Sequence, residues 1–479
     1  MNNTWKTLCL VPSLATLLAA CTMIPAYHRP EPPVPAGWPS GPAYQASQST
    51  PNAPAAADLK WREFFTDERL RTLIATALEN NRDLRVAALN VERARALYRI
   101  QRAELVPAVN ATGKALKERV PADISGIGRA PTVEQYSVNL GITSWEMDFF
   151  GRIRSLEQNA LEQYLATEQA RRGAQILLVS ETAGAYLTLA ADRETLELAR
   201  STLDAQQASY HLIRRRFDVG LTNALELRQA QTRVDAARVD ILRYTALTAQ
   251  DENALTLLLG SPVPADPPPQ ILSNIAPLPD ISPGTSSEVL LRRPDIAQAE
   301  YLLKAANANI GAARAAFFPR ISLTSAIGTA SGDLSGLFKS GSLAWNATPQ
   351  VVMPIFDART WSALDAAKVD QMIILAQYEG AIQAAFREVA DALARNGTLG
   401  DQMAAQQSLV EASADSHRLA TARYEKGTDI YLNVLDAQRS LYAAQQQLIG
   451  IRLAALANQV RLYAVLGGGG DALTPAASQ

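Results

Sequence analysis

Arg216-Phe217-Asp218-Val219-Gly220 returns as Arg423-Tyr424-Glu425-Lys426-Gly427, an offset of 207 residues from Gly220 to Gly427. At the same offset Ala230-Gln231 matches Ala437-Gln438, and Leu259-Gly260 matches Leu466-Gly467. After each glycine an apolar seam follows with steps of three and four. Leu227, Ala230, Val234, Ala237, Ile241 and Tyr244 form the first, and Val434, Ala437, Leu441, Ala444, Leu448 and Ile451 the second. A period of about 3.5 is the seam of a coiled coil. The chain is therefore an internal duplication of a helical hairpin, with glycine as the turn in each copy. Such an elongated scaffold suits a conduit better than a pocket enzyme.

Upstream of each turn the sequence is helical for a long way. No proline occurs between Pro131 and Pro262 or between Pro354 and Pro475. The stretches from Arg152 to about Phe217 and from Arg359 to about Tyr424 predict helices on the order of 100 Å at about 1.5 Å per residue. Before each long helix the period changes to two. Tyr136, Val138, Leu140 and Ile142 alternate with polar or small residues, as do Ile321, Leu323 and Ile327. These predict half-buried strands, with less regular partners at Val106 to Leu116 and Leu343 to Met353 and loops over Lys117 to Thr132 and Gly328 to Gly341. Strands of about 10 residues cross an outer membrane when tilted. Pattern alone also fits a soluble sandwich. Each half opens with a helix stopped by proline, at Pro107 and Pro319.

Four membrane strands are too few to close a barrel, and their outer edges would leave backbone groups unsatisfied in hydrocarbon. Several copies must then share edges; two would give eight strands and three would give twelve, the latter wide enough for a channel.

The N-terminus points the same way. Lys6 precedes an apolar run from Leu8 to Ala20, too short to span a bilayer, and Leu18-Ala19-Ala20-Cys21 resembles a lipobox. Residues 1–20 are read as a cleaved signal and Cys21 as the lipidation site. Thr22 rather than Asp follows it, which by resemblance to other lipoproteins favours the outer membrane. Residues 21–58, rich in Pro, Ala, Ser and Gln, are expected to form an extended arm over the body. The first repeat is then 59–260, with a β-hairpin at about 106–147 and a coiled-coil hairpin at about 152–259. A linker at 261–283 follows. The second repeat is 284–467, with a β-hairpin at about 320–354 and a coiled-coil hairpin at about 359–466, and 468–479 is read as a flexible tail.

Composition excludes other classes. The two cysteines are Cys9, in the signal, and Cys21, so the mature chain has no thiol for a disulfide or Cys-based metal site. A formal net charge of −2 argues against a nucleic-acid partner. No phosphate loop, nucleophile elbow or metalloprotease helix occurs, and His28, His211 and His417 lack ligand spacing. No enzyme activity, cofactor or metal is expected. A secreted enzyme and a periplasmic adaptor lipoprotein remain the rival classes; the adaptor would carry one coiled-coil hairpin rather than two.

The chain resembles the outer-membrane factors of tripartite efflux pumps, the TolC-like family, in its nodulation T and OprM-type lipoprotein branch. The resemblance lies in Asn81-Arg82-Asp83-Leu84, Trp145-Glu146-Met147-Asp148-Phe149-Phe150-Gly151-Arg152, Arg292-Arg293-Pro294-Asp295-Ile296, Ala305 to Pro319, Pro354-Ile355-Phe356-Asp357 and Leu435-Asp436-Ala437-Gln438-Arg439. It implies a mainly α protein with membrane β: a homotrimer, a 12-stranded composite β-barrel with four strands per protomer, and a long periplasmic α-helical barrel. It also implies a passive exit duct in the outer membrane, fed by an inner-membrane resistance-nodulation-division transporter through a periplasmic adaptor. Multidrug export is the default; a duct dedicated to copper or silver is the alternative.

By resemblance, Leu432 and Asp436 correspond to rings that narrow the periplasmic entrance. Tyr424, Glu226 and Asp429 fall where relatives place an aromatic, carboxylate and arginine lock. Asp429 departs from that pattern, since a basic residue is expected there. A direct Glu226 to Asp429 bridge is impossible, and Arg228 or Arg423 is the expected substitute partner. The turns at Gly220, Thr222, Gly427 and Thr428 are the expected adaptor-docking points.

Overall fold

The computed structural model describes residues 22–47, 54–126, 128–264, 271–284 and 286–470. The expected signal segment, Cys21 and residues 471–479 lie outside them. In chain order the helices and strands are α1 (Trp61–Phe64), α2 (Glu68–Asn80), α3 (Arg82–Ala103), β1 (Val109–Arg119), β2 (Thr132–Met147), α4 (Arg152–Asp218), α5 (Ala224–Leu259), α6 (Pro294–Ala315), β3 (Arg320–Ser331), β4 (Leu343–Val352), α7 (Ala358–Glu425) and α8 (Tyr431–Val465). The 67 residues of α4 and 68 of α7 reach about 100 Å each.

The chain divides into two compact units. One comprises Met1–Glu31, Asn90–Glu168 and Gln298–Tyr378, and the other Pro32–Leu89, Gln169–Ala297 and Glu379–Gln479.

The first unit holds a single antiparallel sheet in the order β1-β2-β3-β4. Its central pair joins the two repeats, with Leu140 opposite Ile327. Among the described residues, strands β1 and β4 each keep one unpaired edge. β1 and β3 run three to four residues further than their alternation suggested, to Arg119 and Ser331. The charged run Lys117-Glu118-Arg119 has no hydrophobic period, and pairing with Thr132 to Glu134 carries it. A bulge between Ile142 and Trp145 puts Ser144 at φ 54, and Thr324 Oγ1 accepts its backbone N–H at 3.2 Å.

Both strand-to-helix junctions use an acidic residue as a brace. Asp148 accepts from the backbone N–H and Nε of Arg154 at 2.8 and 3.2 Å. Asp357 accepts from the corresponding atoms of Arg359 at 3.0 and 2.9 Å. The junction after β2 adds a bidentate Arg152–Glu146 pair and a stack of Phe150 on Phe318, centroids 4.9 Å apart.

The second unit has the aromatic core. Phe64 and Phe65 are fully buried, and the Phe64 ring stacks on Tyr463 at 4.0 Å. Burying side chains of this size contributes roughly 1.5–3 kcal/mol each. The glycine run was expected in or next to a flexible tail; the structure corrects this for Gly467–Gly470. Gly468 and Gly469 are buried, and Gln175 donates to the Gly469 carbonyl at 3.0 Å. A Cβ on Gly468 would overlap the Tyr463 ring, so the missing side chain is a packing requirement.

The arm is tied down within each unit. In the first, Arg29 makes a two-pronged contact with Glu300 at 2.8 and 3.1 Å, and Asn307 donates to the Pro25 carbonyl at 2.8 Å. In the second, Trp38 stacks on Phe386 and donates to the Gly284 carbonyl, while Ser287 bonds to Pro35 and Ala36.

Two predictions arise from these units. Gly328 lies in β3 opposite Asn139, where an added Cβ would overlap the Val138 carbonyl oxygen and come within 2.7 Å of the Asn139 Cα. Gly328→Ala is expected to force β2 and β3 apart at a cost of about 1–3 kcal/mol, read as a lower thermal midpoint of the folded protein. An unchanged midpoint would show that the strands do not approach this closely.

Asp192 lies on α4 and Asp251 on α5, and burial, followed by the Asp192 charge, pushes the Asp251 carboxyl up to about 6. The folded state then holds a proton that the unfolded chain, with an ordinary value of 3.8, has released. Stability from this pair falls as pH rises through that window. Asp251→Asn should therefore raise the melting temperature at pH 7–8 and leave it nearly unchanged below about pH 4. Equal effects at both ends would refute the raised Asp251 carboxyl.

Candidate functional site

Both helical turns end in the same backbone motif. The Leu221 N–H reaches the Arg216 carbonyl at 2.7 Å and the Gly220 N–H reaches Phe217 at 3.0 Å. Thr428 to Arg423 and Gly427 to Tyr424 repeat this at 3.0 and 2.9 Å. Gly220 and Gly427 have φ of 78° and 70°, the left-handed region that glycine enters without a Cβ penalty.

Past the turns the two copies diverge by a donor-acceptor swap. In the first, the Thr222 hydroxyl donates to the Glu226 carboxylate four residues on. At the equivalent positions, 207 residues later, Asn433 Nδ2 donates to the Asp429 carboxylate at 2.6 Å. Asp429 also accepts from the Ile430 N–H at 2.8 Å and from Arg423 Nε at 3.1 Å. These three hydrogen bonds, the backbone one foremost, hold its carboxyl below the usual carboxylate range. Asp429 thus takes Arg423, one of the two expected arginines. Glu226 takes Thr222 and, at 3.5 Å, the Tyr424 hydroxyl rather than either arginine.

Beneath these polar contacts Ile213, Leu227, Ala230, Tyr424, Tyr431, Val434 and Leu435 form one buried cluster that fastens the hairpins together. Arg216 lies over the Tyr424 ring, 4.9 Å from its centroid. Burial pushes the Tyr431 hydroxyl up to about 12. Arg216 and Tyr431 were not picked out from the sequence, although the repeat aligns Arg216 with Arg423 and could have found it. Further along, Tyr442 on α8 donates to Asp240 on α5 at 3.1 Å.

Leu432 and Asp436 stand apart from this cluster, one helical turn from each other on the exposed face of α8. Leu432 is exposed, and Asp436 pairs with Arg439 at 3.1 Å, both side chains more than half exposed. The equivalent positions in α5 are Leu225 and Gln229, so only the second repeat carries the carboxylate.

Strand register sorts the sheet into two faces. One carries Ala111, Leu140, Ile327, Trp345 and Val351; the other carries Asn110, Thr112, Asn139, Thr324 and Gln350. From Ile321 to Thr329 the apolar face rises about 26 Å along the strand at roughly 3.3 Å per residue, about 20 Å along a membrane normal when tilted by about 40°.

Strands with one apolar and one polar face, open edges, and duplicated long helical hairpins define a class: outer-membrane proteins in which each copy contributes part of a channel. The chain belongs to the outer membrane efflux protein family, whose profile matches residues 73–261 and 285–468. It is 50% identical over 475 residues to the toluene efflux pump outer membrane protein TtgC of Pseudomonas putida, covering 99% of this chain and 98% of that one. Among solved structures, a membrane protein from Pseudomonas aeruginosa aligns with a TM-score of 0.87 at 43% identity, covering 93% of this chain and 100% of that chain. The open state of the Neisseria gonorrhoeae MtrE outer membrane channel aligns with a TM-score of 0.84 at 37% identity, covering 94% of this chain and 98% of that chain.

Proposed function

We propose that this chain is the outer-membrane channel of a tripartite efflux pump, assembled as a homotrimer whose twelve strands close one barrel and whose hairpins close a helical tunnel. The observation that carries this is the two-faced sheet with a free edge on β1 and on β4. In hydrocarbon those edges need partners, and a neighbouring copy supplies them. The duct is passive: transport energy comes from an inner-membrane transporter, coupled through a periplasmic adaptor that meets the turns at Gly220, Thr222, Gly427 and Thr428. Cys21 carries acyl groups that add a lipid anchor. The Glu226, Tyr424, Asp429 and Arg423 contacts hold the closed entrance, and Leu432 and Asp436 narrow it.

The likeness to an outer membrane protein of a toluene efflux pump favours small organic solvents and drugs over copper or silver as cargo. Membership of the efflux family favours the duct over the adaptor and enzyme readings. The test is gel mobility of detergent-extracted protein with and without heating, together with conductance in planar bilayers. A heat-dissociated trimer that forms water-filled pores is expected. A monomer extractable without detergent would end the proposal.

A further inference from the structure

The apolar face of the sheet ends in an aromatic rung and then in charge. On β1 and β2 the outward pairs run Ala111–Leu140, Gly113–Val138 and Ala115–Tyr136, then Lys117–Glu134 and Arg119–Thr132. This is the end farthest from the helices, since β1 enters from α3 at Val109 and turns back after Arg119. Lys117 and Glu134 pair at 2.5 Å, yet the Lys117 side chain remains 70% exposed. Arg119, one rung further out, is exposed and has no ionic partner among the described residues. The outward rim of this hairpin therefore carries two cations against one carboxylate, on the face that lipid tails cover one rung below.

We propose that Lys117 and Arg119 form a docking rim for the phosphate groups of outer-leaflet lipid. The geometry suits that occupant. Tyr136 marks the interfacial level where aromatic girdles sit, and successive outward residues on one strand lie about 6.6 Å apart. Two cations at that spacing can engage neighbouring phosphates of one headgroup, with Arg119 offering a fork and Lys117 a point charge. A free anion would have no use for the apolar band; a lipid is held by both. The same alternation puts Lys114 and Glu118 on the opposite, water-facing side, so the rim is confined to one face.

The test uses the full-length assembled protein in mild detergent, titrated with bisphosphorylated lipid A, dephosphorylated lipid A or inorganic phosphate, with bound lipid measured by native mass spectrometry. A surface cation contributes about 1 kcal/mol to attraction of anionic lipid, or about fivefold in affinity. Wild type should prefer the phosphorylated lipid. Arg119→Gln should weaken that preference about fivefold, and Lys117→Gln with Arg119→Gln should abolish it. Glu134→Gln, which frees Lys117, should strengthen it, and this variant guards against mere misfolding. Equal binding of both lipids to wild type, a preference that survives the double substitution, or competition by inorganic phosphate alone would each overturn the proposal.

Discussion

Asp436→Ala is expected to reduce the preference for cations in planar bilayers at low salt and to raise single-channel conductance severalfold at high salt, where the wider opening outlasts the lost charge. The carboxylate sits on the exposed face of α8, one turn beyond Leu432, and no packing holds it there. Its ionic partner, Arg439, is 65% exposed while Asp436 is 52% exposed. A pair this open to water is worth little, so the carboxylate can leave Arg439 and turn toward the axis. Threefold repetition would then set three like charges around one opening, a field that admits cations and holds back anions.

Screening provides the internal control. At 0.1 M salt the Debye length is about 10 Å, and at 1 M about 3 Å, so the selectivity difference between wild type and Asp436→Ala should shrink at high salt while any steric widening persists. Arg439→Ala should act in the opposite direction, sharpening cation preference by leaving Asp436 unpaired. Identical conductance and selectivity in both variants would remove Asp436 from the entrance.

The parts of the molecule legible in the sequence are those set by local chemistry. Gly220 and Gly427 end their helices because each backbone enters the left-handed region, and the 207-residue offset carries over the same carbonyl contacts. The strands were readable where apolar and polar residues alternate and were cut short where they do not. Lys117-Glu118-Arg119 stays in β1 through its pairing with β2, which composition does not reveal. Gly467–Gly470 reads as flexible because four glycines have no preferred conformation; the ring of Tyr463 packs against Gly468 and removes that freedom.

At the turns, the sequence ruled out a Glu226–Asp429 bridge on charge and left two arginines as candidates. It could not choose Arg423 over Arg228, because that depends on which way Asp429 faces after the glycine. The repeat held the missing clue: Thr222 and Glu226 align with Asp429 and Asn433, so each copy closes an i to i+4 bond with donor and acceptor exchanged.

Arg293→Ala is expected to destabilise the protein by about 3 kcal/mol, through contacts no local pattern displays. Arg293 immediately precedes Pro294, the first residue of α6, where a missing N–H costs nothing. Its guanidinium, only 10% exposed, reaches the Val465 carbonyl at 2.7 Å, Asp295 at 2.8 Å and Glu388 at 2.8 Å. Val465 is the last residue of α8, so one side chain joins the start of α6 to an orphan carbonyl at the end of α8 and to α7. Truncation leaves that carbonyl and a partly buried Glu388 without their donor; because Asp295 and Glu388 retain some water, the cost lies at the low end for a broken buried pair. Arg293→Lys should recover part of the loss, since an ammonium can meet one or two partners but cannot span all three. Urea unfolding midpoints measure the order wild type, lysine, alanine, and an alanine variant within about 1 kcal/mol of wild type would dismiss the tie. Crossing the two substitutions separates stability from gating: Arg293→Ala should lower the midpoint and leave the conductance of surviving channels unchanged, whereas Asp436→Ala, exposed and unpacked, should do the reverse.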